Sequence, residues 1–213
     1  LADMDSTIIQ VECVDELADA LGLRERIAAI TRRAMNGEIP FAEALAERVA
    51  LLAGLEVATL EEIALTRTPL SPGARTLVAT MKAHGAVTGL VSGGFTLFTS
   101  RVRARCGFDH DRANTLEIAD GRLTGRVLPP VQDHGAKVAE LERLVAANDL
   151  LDEDVIAVGD GANDVPMLER AGIGVAYRAH QKVRARVPVR LDVADLTGAL
   201  YLQGYRRDDF VEG

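Results

Sequence analysis

From Val14 to Thr66 apolar residues recur every three or four positions, whereas from Ala86 onward short unbroken apolar runs alternate with such amphipathic stretches. The first pattern predicts helices over Val14–Leu21, Arg24–Asn36, Phe41–Ala53 and Glu56–Thr66. They are separated by Gly22, Asn36-Gly37, Pro40 and Gly54, which stop a helix or cannot continue one. No strand is expected between residues 9 and 70, so this block reads as an all-helical insert. After Pro69 and Pro72 the period changes. Helices over Ala74–His84, Phe95–Cys106, Gly135–Ala147, Asn163–Ala171 and Leu196–Gln203 alternate with strands over Ala86–Val91, Asp154–Val158, Ile173–Ala176 and Val189–Leu191. Asn114–Ile118 and Arg122–Val127 flank Asp120-Gly121, a hairpin turn pair. Strands alternating with helices predict an α/β fold built on a doubly wound, mostly parallel sheet. The expected division is a core of residues 1–8 and 71–213 and a helical insert of 9–70. Leu1-Ala2 reads as the end of a further strand. Because strands usually run about 5–6 residues, native residues upstream of Leu1 are expected.

Composition narrows the function classes. With 48% apolar and 26% charged residues the 213-residue chain has material for a large core and an ordinary polar surface. A formal net charge of -8 argues against nonspecific nucleic-acid binding, which needs clustered Lys and Arg. No apolar run reaches the roughly 18 residues of a membrane span. Cys13 and Cys106 make no disulfide or zinc pattern, and His84, His110, His134 and His180 are scattered. A reducing cytoplasm is the simplest expected compartment.

In doubly wound sheets ligands sit beyond the carboxyl ends of the strands. Three expected strand ends deliver small or acidic residues there: Asp3-Met4-Asp5, Ser92-Gly93-Gly94, and the Gly159-Asp160-Gly161-Ala162-Asn163-Asp164 run. Like carboxylates repel, and one takes up a proton unless a cation intervenes, so Asp3 and Asp5 point to a metal or to acid/base work. Glycines flanking Asp160 let the backbone turn sharply and approach a ligand. Asp3 and Asp160, with a backbone carbonyl near Asp5, would suit Mg²⁺, which takes one or two carboxylates plus phosphate oxygens. Taken alone, each acidic stretch reads equally as a surface turn. Ser92 with the following amides reads either as a phosphate cradle at a helix start or as a plain cap. Lys137 reads either as a solvated surface lysine or as a cation for phosphate and Asp3.

The ordered set DMDST, VSGGFT, Lys137 and GDGANDVPML resembles the haloacid dehalogenase superfamily of phosphatases over essentially the whole chain, and most strongly its phosphoserine phosphatases. That resemblance implies Asp3 as nucleophile, forming an aspartyl phosphate, and Asp5 as general acid and then base. It also implies Mg²⁺ held by Asp3, the Asp5 carbonyl and Asp160. Ser92, Gly93, Lys137 and Asn163 would bind phosphate, and Asp164 would orient Lys137 or a metal-bound water. The segments QVECVDE, RRAMNGEIPF and LAERVALL are similar to the cap of phosphoserine phosphatases. They imply Glu12 for the substrate ammonium, Arg48 for its carboxylate, and Met35 and Phe41 as an apolar lid. On residue type alone, Glu12 is a solvent-facing residue before a helix, Arg48 half of a surface pair with Glu43 or Glu47, and Met35 and Phe41 core. The expected activity is hydrolysis of O-phosphoserine, a step of serine biosynthesis. The rivals are transfer of the phosphoryl group to another alcohol, hydrolysis of another small phosphomonoester, and a noncatalytic binding role.

Overall fold

The computed structural model describes all residues except Gly37, Asp133 and His134, together with the side chain of Met35. Half of the expected Asn36-Gly37 turn, His134 and the expected lid contact of Met35 thus lie outside the described residues. Among the described residues seven strands form one sheet: β1 (Ala2–Asp3), β2 (Gly89–Phe95), β3 (His110–Ala119), β4 (Arg122–Leu128), β5 (Ile156–Gly159), β6 (Ile173–Tyr177) and β7 (Val189–Leu191). Their order is β4-β3-β2-β1-β5-β6-β7, parallel throughout except for the β3–β4 hairpin. The chain runs outward from β1 to β4 on one side and from β5 to β7 on the other. Its direction of winding therefore reverses beside β1, where the crevice for a ligand is expected.

Helices cover both faces. Among the described residues five precede β2: α1 (Cys13–Ala20), α2 (Arg24–Met35), α3 (Phe41–Ala50), α4 (Val57–Thr66) and α5 (Ala74–Ala83). The others are α6 (Thr96–Cys106), α7 (Ala136–Ala147), α8 (Val165–Arg170), α9 (Gln181–Arg184) and α10 (Gly198–Leu202). Because strand side chains alternate, consecutive residues join different cores. Leu90, Val158 and Val175 belong to the cluster holding Phe98 and Leu200, whereas Val91, Ala157 and Ala176 belong to the one holding Leu141 and Leu168. Unbroken apolar runs are thus what a sheet covered on both sides requires. At Gly174 a Cβ would lie 1.9 Å from the Leu168 carbonyl oxygen, so only glycine lets α8 lie this close to β6.

Two local readings differ from the pattern-based expectation. β2 begins at Gly89 and continues through Ser92-Gly93-Gly94 to Phe95, so the glycines end a strand and do not open a helix. Pairing with β3 is regular from Gly89 to Val91, is interrupted, and resumes at Phe95 with Asn114. Glycines tolerate that irregularity, and α6 starts one residue later. The second difference follows Asp3. The chain makes one wide turn, with Ile9 N donating to Met4 O at 3.0 Å, and Ser6 sits in the left-handed region at φ 52°.

The segments entering and leaving residues 9–70 run antiparallel. Ser71 N donates to Ile8 O at 2.8 Å, and Gln10 N to Pro69 O at 3.0 Å. The helical block then leans on the hairpin. Gly54 N donates to Leu123 O and Leu123 N to Leu55 O, both at 2.8 Å, which covers part of the exposed edge of β4. The C-terminal segment packs back on the body, with Val211 N donating to Thr80 Oγ1 at 2.9 Å. Among the described residues no helix is long and apolar enough to cross a membrane.

Candidate active site

The register of the central strands assembles the site. Ala2 pairs with Leu90 and Val158, and Asp3 pairs with Val91. Asp3 therefore ends its strand level with Val91, just before Ser92, and one residue past the Ala2–Val158 pair that precedes Gly159-Asp160. Carboxylate oxygens of Asp3, Asp160 and Asp164 all lie within 4.8 Å of one another, and all three residues are buried. Lys137, from the first turn of α7, is 3% exposed, and its Nζ donates to both Asp3 Oδ1 and Asp164 Oδ1. Thr7 Oγ1 donates to Asp160 Oδ1 at 2.9 Å. Asp164 Oδ2 accepts from the amides of Asp160 at 3.0 Å and Gly161 at 2.9 Å. With one oxygen on Lys137 and the other on two amides, Asp164 holds the loop and the lysine, which leaves Asp3 and Asp160 better placed for a cation. Glycine is dictated by contact at Gly159, where a Cβ would come within 2.6 Å of the Asp164 side chain; at Gly161 a Cβ would meet only the movable end of Asn163.

The electrostatics show a shortage of positive charge. Burial opposes the Lys137 ammonium, but Asp3 and Asp164 outweigh it and hold the group above the usual lysine range. Burial drives the Asp3 carboxyl well upward; Lys137 resists this, and Asp164 and Asp5 add to it. Asp160 is pushed up to about 6, chiefly by burial, against the Thr7 hydrogen bond. Three buried carboxylates share one buried ammonium. Each would gain from a further cation, and their hard oxygen donors suit a divalent ion.

Asp5 faces the other way. Its Oδ2 accepts from Ser92 Oγ at 2.8 Å and its Oδ1 from the Cys13 amide at 2.9 Å. Ser92 Oγ in turn accepts from Gly94 N at 2.9 Å, while Asn114, fully buried, donates to Gly93 O at 2.9 Å and accepts from Gln132 N at 2.7 Å. A cavity of about 660 Å³ opens above these groups; Phe41, Ser92, Gly93, Lys137, Asn163 and His180 are among the residues lining it. Cys13 is buried with its thiol pushed far up by that burial, which makes it inert.

The structure thus gathers Asp3, Asp5, Ser92, Gly93, Lys137, Asp160, Asn163, Asp164 and Phe41 at one edge of the sheet. The helical residues are less tightly placed. Glu12 lies at the start of α1, open to solvent, with Ser6 Oγ donating to its Oε1 at 2.5 Å. Arg48 does not line the large cavity. It is half-buried in a small apolar recess with Leu17, Leu45 and Phe95, and its Nε donates to Ala44 O at 3.2 Å. Glu47 pairs with Arg33 at 2.7 Å, and among the described residues no carboxylate lies within salt-bridge distance of Arg48. Burial lowers the Arg48 pKa and the charge of Asp15 partly restores it. Thr7, Asn114 and the Cys13 amide escaped the sequence reading. Thr7 lies inside the DMDST stretch, whereas nothing near Asn114 in sequence signals its bridge to Gly93.

A model of the haloacid dehalogenase-like hydrolase family matches residues 1–169. The chain belongs to that family. It is 43% identical over 207 residues to a phosphoserine phosphatase of Streptomyces coelicolor, covering 97% of this chain and 50% of that protein. It is 45% identical over 205 residues to one of Polaromonas sp., covering 94% and 87%. The chain therefore spans half the length of the first relative and most of the second. A solved phosphoserine phosphatase with substrate bound superposes with a TM-score of 0.85 at 33% identity, covering 94% of this chain and 95% of that one.

Proposed function

We propose that this protein hydrolyses O-phospho-L-serine to L-serine and phosphate through an aspartyl phosphate, as a cytoplasmic step of serine synthesis. The observation that carries this reading is the convergence of Asp3, Lys137, Asp160 and Asp164 in one buried cluster, whose Lys137 lines the same cavity as Ser92, the residue that bonds Asp5. A bare binding site for phosphate needs cations and amides. It has no use for a buried carboxylate beside a second carboxylate, and that pairing is what nucleophile-plus-acid chemistry requires.

Asp3 Oδ1 is held by Lys137, which leaves Oδ2 to attack phosphorus. The Asp3 oxygen–phosphorus bond forms as the bond from phosphorus to the serine oxygen breaks, and Asp5 gives its proton to that departing oxygen. Asp5 then takes a proton from water as the water oxygen bonds phosphorus and releases Asp3. Ser92, Gly93, Asn163 and Lys137 hold the non-bridging oxygens, where charge spreads in a loose transition state. For Ser92 this means turning its hydroxyl from Asp5 to phosphate, which frees Asp5 for proton transfer. Mg²⁺ is the ion proposed for Asp3, the Asp5 carbonyl and Asp160; when bound it offsets the phosphate dianion and the surrounding carboxylates.

Residues 9–70 act as a cap over this site. Glu12 meets the substrate ammonium, Arg48 its carboxylate, and Phe41 shields the aspartyl phosphate from bulk water. Arg48 reaches the carboxylate only by leaving its recess beside Phe95, so the substrate draws the cap and β2 together. The test is phosphate release from O-phospho-L-serine with Mg²⁺, compared with EDTA and with O-phosphothreonine. Acceptor alcohols are added in parallel to detect transfer. Release that is Mg²⁺-dependent, serine-selective and indifferent to acceptors is expected; turnover insensitive to EDTA would sink the metal assignment.

A further inference from the structure

Ser6 stands between two residues with proposed jobs, yet the mechanism gives it none. It holds a left-handed φ of 52°, a conformation that disfavours any side chain but glycine and, less strongly, Asn and Asp. Two bonds keep it there: Ser6 N donates to Val11 O at 3.2 Å, and Ser6 Oγ donates to Glu12 Oε1 at 2.5 Å. Glu12 is the residue before α1, but its carboxylate does not cap that helix. Among the described residues Ser6 is the hydrogen-bond partner of Oε1, and Oε2 has none. Around Glu12 stand the negative charges of Asp5, Asp160 and Asp15. A flexible glutamate at the start of a cap helix would swing away from these neighbours. The strained Ser6 prevents that, and it belongs to the body of the protein while Glu12 belongs to the cap.

We propose that Ser6 is the positioning residue for amino-acid selectivity, fixing Oε1 of Glu12 so that Oε2 is presented to the substrate ammonium. This rests on the phosphoserine reading above. Strain at a residue whose hydroxyl is spent on Glu12 is accounted for if that hydroxyl must meet Glu12 at one place only. Losing a hydrogen bond to a charged group weakens binding about 10-fold, and here the loss falls on ligands that carry an ammonium.

The experiment measures competitive inhibition by L-serine and by inorganic phosphate, with O-phosphoserine as substrate, in the wild type, Ser6→Gly and Ser6→Thr. Glycine relieves the strained φ and removes the hydroxyl. Threonine keeps the hydroxyl and adds strain through its branched Cβ. The inhibition constant for L-serine should rise about 10-fold in Ser6→Gly and stay within about 2-fold of wild type in Ser6→Thr. The constant for phosphate should be unmoved in both, and in Ser6→Gly the loss should fall on KM more than on kcat. Thermal stability should run in the opposite order, Gly highest and Thr lowest, which a merely structural role would not produce. If Ser6→Gly weakens L-serine and phosphate by the same factor, or neither, the proposal is overturned while the phosphoserine reading stands. A wild type that neither turns over O-phosphoserine nor is inhibited by L-serine removes both. Should Ser6→Thr fail to fold, the ratio of the two constants in Ser6→Gly decides alone.

Discussion

The base of the site and its helical roof are built on opposite principles. At the base, Asp3, Lys137, Asp160 and Asp164 come from three separate chain segments, lie buried, and are tied by ion pairs and by hydrogen bonds to Thr7 and two backbone amides. In the roof, Glu12 is open to solvent with one bond to Ser6, and Arg48 rests in an apolar recess against its own helix. The contrast separates two demands. Phosphoryl transfer needs groups fixed to fractions of an ångström around a developing charge, whereas recognition of an entering substrate needs groups that are still free to engage it. Coupling between the halves runs through the short stretch after Asp3, where the Cys13 amide bonds Asp5 and Ser6 bonds Glu12.

The sharpest way to break this contrast is at the nucleophile. Asp3→Asn keeps shape and leaves Lys137 bonded to Asp164, so the protein should fold with little change in melting temperature. Turnover should fall about 10⁴-fold, as for removal of a nucleophile acting within a concerted set, and acid-quenched samples should carry no acyl phosphate. Normal turnover in that variant would end the proposed mechanism. Lys137→Met tests the base as a structure. It leaves Asp3 and Asp164 buried and facing each other, a defect that costs about 3–5 kcal/mol and about 10 °C in a chain of this size. Mg²⁺ should return part of that stability, and more than it adds to wild type. Thermal melts with and without the ion decide this; equal gains in both proteins would mean that the acidic cluster does not hold it.

The roof predicts the reverse pattern. Arg48→Ala should lower kcat/KM for O-phosphoserine about 100-fold, the scale of a charged bidentate contact, while stability falls by no more than about 1 kcal/mol because among the described residues Arg48 has no ion pair to lose. A phosphomonoester without a carboxylate should be hydrolysed equally well by variant and wild type. Equal loss on both substrates would place Arg48 in the base and erase the distinction drawn here.

Much of the base was legible in the sequence because its constraints are local. Asp3 and Asp5 sit in one short stretch, the glycine before Asp160 is demanded by the Asp164 side chain, and parallel strands force their carboxyl ends to one edge. The irregularity in β2 was not legible, because Ser-Gly-Gly is equally good turn and strand-end chemistry; only pairing of Phe95 with Asn114 selects the strand. Asn114 itself was invisible for the same reason, since its partners Gly93 and Gln132 are distant in sequence. In the roof, helix boundaries came out within a few residues, yet periodicity carries no information on where an arginine side chain rests. Arg48 could be matched to a family role but not placed in its recess.

The smallest effect sharpens the comparison most, because it asks whether roof residues are held at a cost. Although Glu12 as a residue is exposed, the loss of water around its carboxyl first, and then the charge of Asp5, push that carboxyl up to about 7 from an ordinary 4.5, with the Ser6 hydrogen bond pulling the other way. A carboxyl raised in the folded state binds its proton more tightly there than in the unfolded chain. Its contribution to stability is therefore full below pH 4.5 and is lost as pH rises through about 7. Glu12→Gln should consequently match wild type in stability at pH 4.5 and exceed it at pH 8, by about 1 kcal/mol once solvent screening of this exposed residue is allowed for. Binding should move in the opposite sense. In the wild type, KM for O-phosphoserine should climb as pH falls below 7, where Glu12 loses the charge that meets the ammonium. In Glu12→Gln KM should be high and flat over that range. Denaturant melts at the two pH values, set beside KM profiles, separate the outcomes. A variant no more stable at pH 8 than wild type would show that Glu12 sits at no cost, and that the roof is as relaxed energetically as it is open.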